Sequence, residues 1–407
     1  VPELTQEVLD DLFEVEEETF ECPHCGESYS SEYEAEDCCH ACVSCGSTYS
    51  EEYEAYECCR YQCRECGEWY DYEESATECC GSGDTFYGTI PYLPDDDLYE
   101  VKIPEIPGRP ARLCSIEQEL AAGGTMVARL LYEQGISDYD SRLGYHHGAT
   151  GRGTAHVEED GSLPADGGEV VYDRFNLSLD SEARKLGKAL TKIRQLRDLP
   201  DRPVGTSYSA GTHVHVSARA VDGSTMTPKG VAALYELWSY SEDMLYSLSA
   251  AGWQRHRQPV DAYSGYCKPV PKGEATPRNV FSMMRSDRYF GLNFQRLFGA
   301  VSRCSCGAAT MGDWASCDCG AFDGATVEWR VFNSSTRPAT IHGWIVFAQA
   351  MTAYAEQHEL GTLPQNSYGS QSREEKREVF EHLMKVLPLT DGERKLLGDL
   401  ADRSPGL

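Results

Sequence analysis

Three short segments place chemistry-bearing side chains two residues apart: Glu117 and Glu119 in "LCSIEQEL", His213 and His215 in "GTHVHVSA", and Glu328 and Arg330 in "TVEWRVF". Side chains on a β-strand alternate with period two, so the members of each pair point to the same sheet face. A face with three carboxylates, two imidazoles and a guanidinium is costly unless metal ions and phosphates neutralise it. Taken singly, each pair has a plain structural reading: a solvated Glu-x-Glu face, packed histidines, or an intrastrand ion pair. Their joint presence on three separate strands points to a nucleotide and metal site.

The elements that would position these residues can be read from periodicity and punctuation. Strands are expected at 112–120, 154–159, 168–172, 212–218 and 325–332, and helices at 124–134, 180–198, 227–250 and 338–357. Residues 251–286 read as irregular, and 287–298 fit no single element type. Strands with polar alternation among long helices indicate an α+β domain. Its sheet is expected to lie open to a ligand on one face.

The expected domains are an acidic helical leader at 1–20, a cysteine-rich region at 21–81 and a Pro-rich extended linker at 82–110. A catalytic domain at 111–360 and a helical tail at 361–407 follow. "GYHHGATGRGTAH", within which 144–153 is read as a Gly-rich loop carrying Arg152, could cover phosphates or simply be a mobile surface loop. Asp160 opens a "DGS" hairpin turn that would join the strands at 154–159 and 168–172.

The chain has 407 residues, 41% of them apolar, enough for a real core. Its net charge of −30 is concentrated: residues 1–100 hold 29 acids against Arg60 and Arg64, while the rest is close to neutral. An acidic segment of this kind repels nucleic-acid phosphate, so a nucleic-acid partner is excluded. A basic protein partner, or a purely solvating surface, fits it. No run of eighteen apolar residues occurs, and the first residues are acidic where an export signal starts basic. A cytoplasmic, membrane-free setting is expected.

Eighteen cysteines fall mostly into tight pairs, as zinc thiolates in a reducing compartment do. A repeat of about 20 residues reads "CPHCGESYSSEYEAEDCC", "CVSCGSTYSEEYEAYECC" and "CRECGEWYDYEESATECC". It supplies Cys22, Cys25, Cys38, Cys39, Cys42, Cys45, Cys58, Cys59, Cys63, Cys66, Cys79 and Cys80. Each unit is too short for an apolar core of its own, so three structural Zn2+ ions are expected in small knuckle modules. The four sulfurs on each ion could come from one unit, or pass between units through the helical spacing of Cys38 and Cys42. Cys304, Cys306, Cys317 and Cys319 form a further pair of knuckles, expected as a one-zinc ribbon inserted at 303–320. Cys114 and Cys267 read as buried free thiols; Cys114, close to Glu117, could alternatively be a nucleophile.

Five segments occur in an order that resembles the amidoligase family, a branch of the glutamine synthetase and glutamate–cysteine ligase superfamily of ATP-dependent carboxylate–amine ligases. They are "SIEQE", "EEDGSLPADGGEVV", "GTHVHVS", "DRYFGLNFQRLF" and "TVEWRVFNSSTRP" followed by a helix, spanning about residues 111–357. Two departures stand out: Ser115 where such families usually have Gly, and "EVVYDRF" without the usual Ser-Pro. The resemblance implies a glutamine synthetase-like sheet, curved and mainly antiparallel, with its open face around ATP and divalent metals and helices on the other face, and it allows a substrate contact by Asp160. It assigns Glu117, His213 and Glu328 to one Mg2+ or Mn2+, and Glu119 and Glu169 to another. It places His215, Arg330 and Arg296 at the transferring phosphate, with Arg288 and Asn293 as further nucleotide contacts. Without the resemblance, Arg288, Asn293 and Arg296 read equally as surface polarity or as an anion clamp.

The expected activity is amide formation between a small-molecule or protein carboxylate and an amine, through an acyl phosphate. A viral source, with the protein in host cytoplasm or virion, follows by resemblance only. Two other readings compete. One is a zinc-stabilised binding or assembly protein with an inactive ligase-like domain. The other is a metal-dependent hydrolase, since His-x-His also opens the metal site of several barrel enzymes, although those add His and Asp ligands on later strands.

Overall fold

The computed structural model describes residues 20–21, 28–29, 40–41, 48–49, 61–62, 69–70, 90, 93–95, 97–144, 154–199, 203–207, 210–249, 267–285, 287–303, 322–364, 369–404 and 406–407. The chain divides into two units, Val1–Gly88 and Thr89–Leu407. In the first, three two-residue ladders recur: Phe20–Glu21 with Ser28–Tyr29, His40–Ala41 with Thr48–Tyr49, and Tyr61–Gln62 with Trp69–Tyr70. Each ladder is antiparallel and brackets one Cys-x2-Cys-Gly of the repeat. The backbone thus repeats where the sequence repeats. The leader helix, the sixteen cysteines assigned to zinc, the 303–320 ribbon beyond Arg303 and loop residues 145–153 lie outside the described residues.

The second unit is built on a six-stranded open sheet. In chain order its strands are β1 (Arg112–Leu120), β2 (Ala155–Glu158), β3 (Gly168–Tyr172), β4 (Gly211–Ala220), β5 (Leu292–Asn293) and β6 (Thr326–Asn333). They lie in the order β5-β6-β4-β1-β3-β2, and every neighbouring pair is antiparallel. The helices are α1 (Gly124–Glu133), α2 (Asp180–Arg197), α3 (Pro228–Ser249), α4 (Pro277–Met284), α5 (Gln295–Arg303), α6 (Pro338–Ala355), α7 (Arg373–Val386) and α8 (Asp391–Ala401). None among the described residues is long and apolar enough to cross a membrane.

Strand alternation divides the sheet chemically. Ile116, Val170, Val157, Val214, Val216, Val327 and Trp329 are fully or almost fully buried, and they alternate with the polar residues that share the opposite face. The apolar face meets helices α3 and α6. Trp238 of α3 packs against Trp329 at 5.3 Å between ring centroids, and Phe332 stacks on Trp344 of α6 at 5.1 Å. Helix α6 is buried nearly all round, so its sequence "PATIHGWIVFAQAMTAYA" has no polar stripe. Gln118 and, opposite it, Thr212 are polar residues on this face. Tyr172 Oη donates to Gln118 Oε1 and Gln118 Nε2 donates to the Ser335 carbonyl, both at 2.7 Å, so Gln118 is buried without an unmet amide.

Three sequence expectations need correction. Residues 93–95 and 97–110 lie outside the named strands and helices but do not form a free linker. Val101 and Ile103 are buried, Ile103 N donates to Leu177 O, and the Tyr99 backbone crosses α2 so closely that a Cβ on Gly187 would lie 1.8 Å from Tyr99 O. The fully buried Lys192 ammonium of α2 grips the Leu93 and Pro94 carbonyls and Asp95. The prolines prevented ladder pairing without preventing burial. Second, the C-terminal helices are not a separate tail: Leu383, Leu397 and Leu400 are fully buried, and Glu393 of α8 forms a buried 2.7 Å ion pair with Arg109. Capping boxes at Ser372 and Thr390 start α7 and α8. Third, the residues around 277–303, which show no clear periodicity, form α4, the short edge strand β5 and α5.

Candidate functional site

Strand β4 lies at the centre of the polar face, with β1 on one side and β6 on the other. Register places His213 opposite Glu117, and His215 opposite Glu328. Beyond them, Glu119 faces Glu169, Glu169 faces Glu158, and Glu328 faces Asn293. Residues directly opposite in adjacent strands share a face. The expected site residues on five strands therefore meet on one surface. A bulge in β6, where Thr212 faces Phe332 but Val214 faces Trp329, adds one residue beside Arg330 and re-aims it; Arg330 N donates to Gly291 O at 2.8 Å.

On the β4–β6 side the charges are matched. Arg330 Nη1 donates to Glu328 Oε1 at 2.5 Å, and Asn293 Nδ2 to Oε2 at 2.8 Å. His213 Nδ1 lies 3.3 Å from Glu117 Oε2 and 3.8 Å from Glu328 Oε1. His215 Nε2 is 3.2 Å from Glu117 Oε1 but poorly aligned for a hydrogen bond, so its contact is chiefly Coulombic. Burial would raise the Glu117 carboxyl, yet the His215 charge and the contacts of both histidines hold it well below its ordinary value. Glu328 is likewise lowered, against burial, by His215, Arg330 and His213. His215, whose charge burial opposes, is raised by Glu117 and Glu328.

On the β1–β3–β2 side, acid meets acid. Glu169 is pushed up to about 9 by burial and then by Glu117, Glu119, Asp160 and Glu158. Glu119 Oε2 accepts Gly211 N at 2.5 Å, and its Oε1 lies 3.6 Å from His213 Nε2. Glu158 Oε1 pairs with His156 Nε2 at 2.9 Å. Asp160 Oδ1 accepts Ser162 N at 2.6 Å, the turn chemistry expected of "DGS".

Two triads have the donor chemistry and spacing for a divalent ion. In Glu117–His213–Glu328 and in Glu119–Glu169–His213, one ligand atom from each residue lies within 4.8 Å of the others. Oxygen and nitrogen ligands around one small dication lie about 3–4.5 Å apart, so small side-chain shifts would close either site. His213 belongs to both triads. A neutral imidazole has one ligating lone pair, so it can serve only one ion at a time.

The remaining predicted contacts are more peripheral. Arg296 Nη2 is 3.6 Å from Glu117 Oε1 but more than half exposed. Arg288 reaches the group through Tyr289: Nη2 donates to Tyr289 Oη at 3.1 Å, and the Arg330 guanidinium lies 5.8 Å from the centre of the same ring. Cys114 and Cys267 are buried thiols, each raised to about 12 by burial, so they remain neutral, and no thiolate nucleophile stands beside Glu117. Sequence reasoning missed His156 and Glu158, although "AHVE" carries the same period-two signal, and it missed Tyr289, which has no such signal.

No family model matches the chain, and no curated protein matches it. Among solved structures the chain is similar to a bifunctional glutathione synthetase from Pasteurella multocida. The identity is 10%, the TM-score is 0.35, and the match covers 72% of this chain and 46% of that one. This chain thus spans under half the length of that structure. A likeness so loose carries no argument about activity.

Proposed function

We propose that the chain is an ATP-dependent carboxylate–amine ligase of the amidoligase type. The observation that carries this reading is the convergence of Glu117, Glu119, Glu169, His213 and Glu328 with Arg330 on one sheet face. A hydrolase built on His-x-His needs further His and Asp ligands, and here the neighbouring strand supplies Glu328 and Arg330 instead.

Mg2+ or Mn2+, when bound, neutralises phosphate charge and fixes phosphate oxygens for in-line attack. The residues of the chain divide the remaining work. Glu117, Glu119, Glu169, His213 and Glu328 hold the ions. Arg330, a planar cation, faces the charge that spreads over the transferring γ-phosphoryl group. His215, held towards its protonated form, donates a hydrogen bond to that group. Arg296, Arg288 and Asn293 line the approach of the triphosphate. The substrate carboxylate attacks the γ-phosphorus, the bond to the bridging oxygen breaks, and ADP leaves. An amine then attacks the acyl-phosphate carbonyl, losing a proton as phosphate departs with the C–O bond electrons.

The same reading takes the cysteine repeat and the 303–320 segment as structural zinc modules. It takes the acidic first unit as a docking surface for a basic protein, in cytoplasm or a virion. The test is to incubate the protein with ATP, Mn2+ and a mixed pool of carboxylates and amines, and to follow phosphate release. Release should require both pools and fall about a thousandfold in Glu119→Gln. Equal release from both proteins overturns the reading, and turnover without nucleotide favours the hydrolase. Filled zinc modules with no nucleotide binding favour the assembly protein.

A further inference from the structure

The oxygen of Glu328 that faces the first metal triad is also the one that Arg330 holds. Oε1 lies 3.8 Å from His213 Nδ1 and 2.5 Å from Arg330 Nη1, while Oε2 accepts Asn293 Nδ2. A dication and a guanidinium on one carboxylate oxygen repel each other at short range, and burial leaves little water to screen them. Glu328 therefore cannot serve both at full strength. The guanidinium needs a second position close by.

The Tyr289 ring offers one. Its centre is 5.8 Å from Arg330 Cζ, within the range at which an aromatic face attracts a cation, and 5.0 Å from Arg288 Cζ, which shares the ring. The ring is held from several directions. Tyr289 N donates to Asp287 Oδ1 at 2.8 Å, Tyr289 O accepts Lys268 N at 2.7 Å, and Tyr289 Oη accepts Arg288 Nη2. Lys268 Nζ, 5.8 Å from the ring centre, is tied to Asp287 at 2.8 Å, so the bracket is fixed independently of Glu328.

We propose that Tyr289 is a positioning residue that receives the Arg330 guanidinium when a divalent cation takes Glu328 Oε1. Metal uptake and the release of the phosphate-facing arginine are then one event. This rests on the ligase reading of the site, but it is tested without turnover. Mn2+ binding is followed by electron paramagnetic resonance in the full chain, with Glu119→Gln as background to leave the Glu117–His213–Glu328 triad alone.

In that background Tyr289→Leu should weaken Mn2+ binding about tenfold, because the displaced guanidinium loses its receiving face. Tyr289→Phe keeps the ring and should change it little. Arg330→Gln should tighten binding, and Tyr289→Leu should then have no further effect. Equal weakening by Tyr289→Leu with and without Arg330 would show that Tyr289 acts through packing, and the proposal fails. No weakening, or weaker binding in Arg330→Gln, also overturns it. If the folded background protein binds no Mn2+, the metal assignment itself falls and the proposal with it.

Discussion

The two sides of the polar face solve the same electrostatic problem differently. On either side of β4, Glu117 of β1 and Glu328 of β6 each have a cationic or donor partner, and both are held ionised. Across β1, β3 and β2, Glu119, Glu169 and Glu158 stand in register with one another, and Glu169 keeps its proton up to about 9. The first side is neutralised from within. The second limits its excess negative charge by keeping a proton on Glu169. The difference is one of partners: cationic side chains on one side, a retained proton on the other.

The largest effect should come from breaking the matched side. Arg330→Ala strands the buried Glu328 carboxylate, a loss of about 3–5 kcal/mol in stability, readable in urea unfolding of the chain without added metal. A loss below about 1 kcal/mol would mean that water or His213 already compensates Glu328.

The next effect concerns the unmatched side and has the opposite sign. The folded carboxyl of Glu169 sits at about 9, against an ordinary value of 4.5, so its contribution to stability is present below 4.5 and lost as pH rises towards 9. Glu169→Gln should thus raise the melting temperature by roughly 5 °C at pH 8 without metal, and by little at pH 4. Added Mn2+ should stabilise the wild type more at pH 8 than at pH 5, since the cation displaces that proton. A Glu169→Gln protein that melts lower at pH 8 would show that the two sides do not differ as described. The smallest effect is expected at Arg296. Its exposed 3.6 Å contact with Glu117 should contribute less than about 1 kcal/mol and fade in salt, so Arg296→Ala should leave thermal stability almost unchanged.

Much of this face was legible because period-two alternation needs no tertiary information. Spacing alone put Glu117 with Glu119 and His213 with His215 on one face of their strands, and β1 is the strand expected at 112–120; that these strands share that face is set by register. What could not be read depends on partners distant in sequence. Residues 93–110 looked like linker because of their prolines, and the alternation of Val101 and Ile103 was too short to outweigh them. β5 is only two residues long, so it exists through its pairing with β6, not through its own propensity. Carboxylates of α3 were equally opaque. Glu236 accepts Gly361 N and Leu363 N, and Asp243 accepts Gly369 N and Gln371 N, so acids inside a buried helix fasten a segment over a hundred residues away.

The grip of Lys192 on residues 93–95 has a practical side. A shortened protein starting at Ala111 would strip two carbonyls and a carboxylate from an ammonium ion with no access to solvent, and would uncover the trough over Gly187 through which Tyr99 runs. Such a fragment should aggregate on expression, whereas a cut near Thr89 keeps both the ion's cage and the trough's cover.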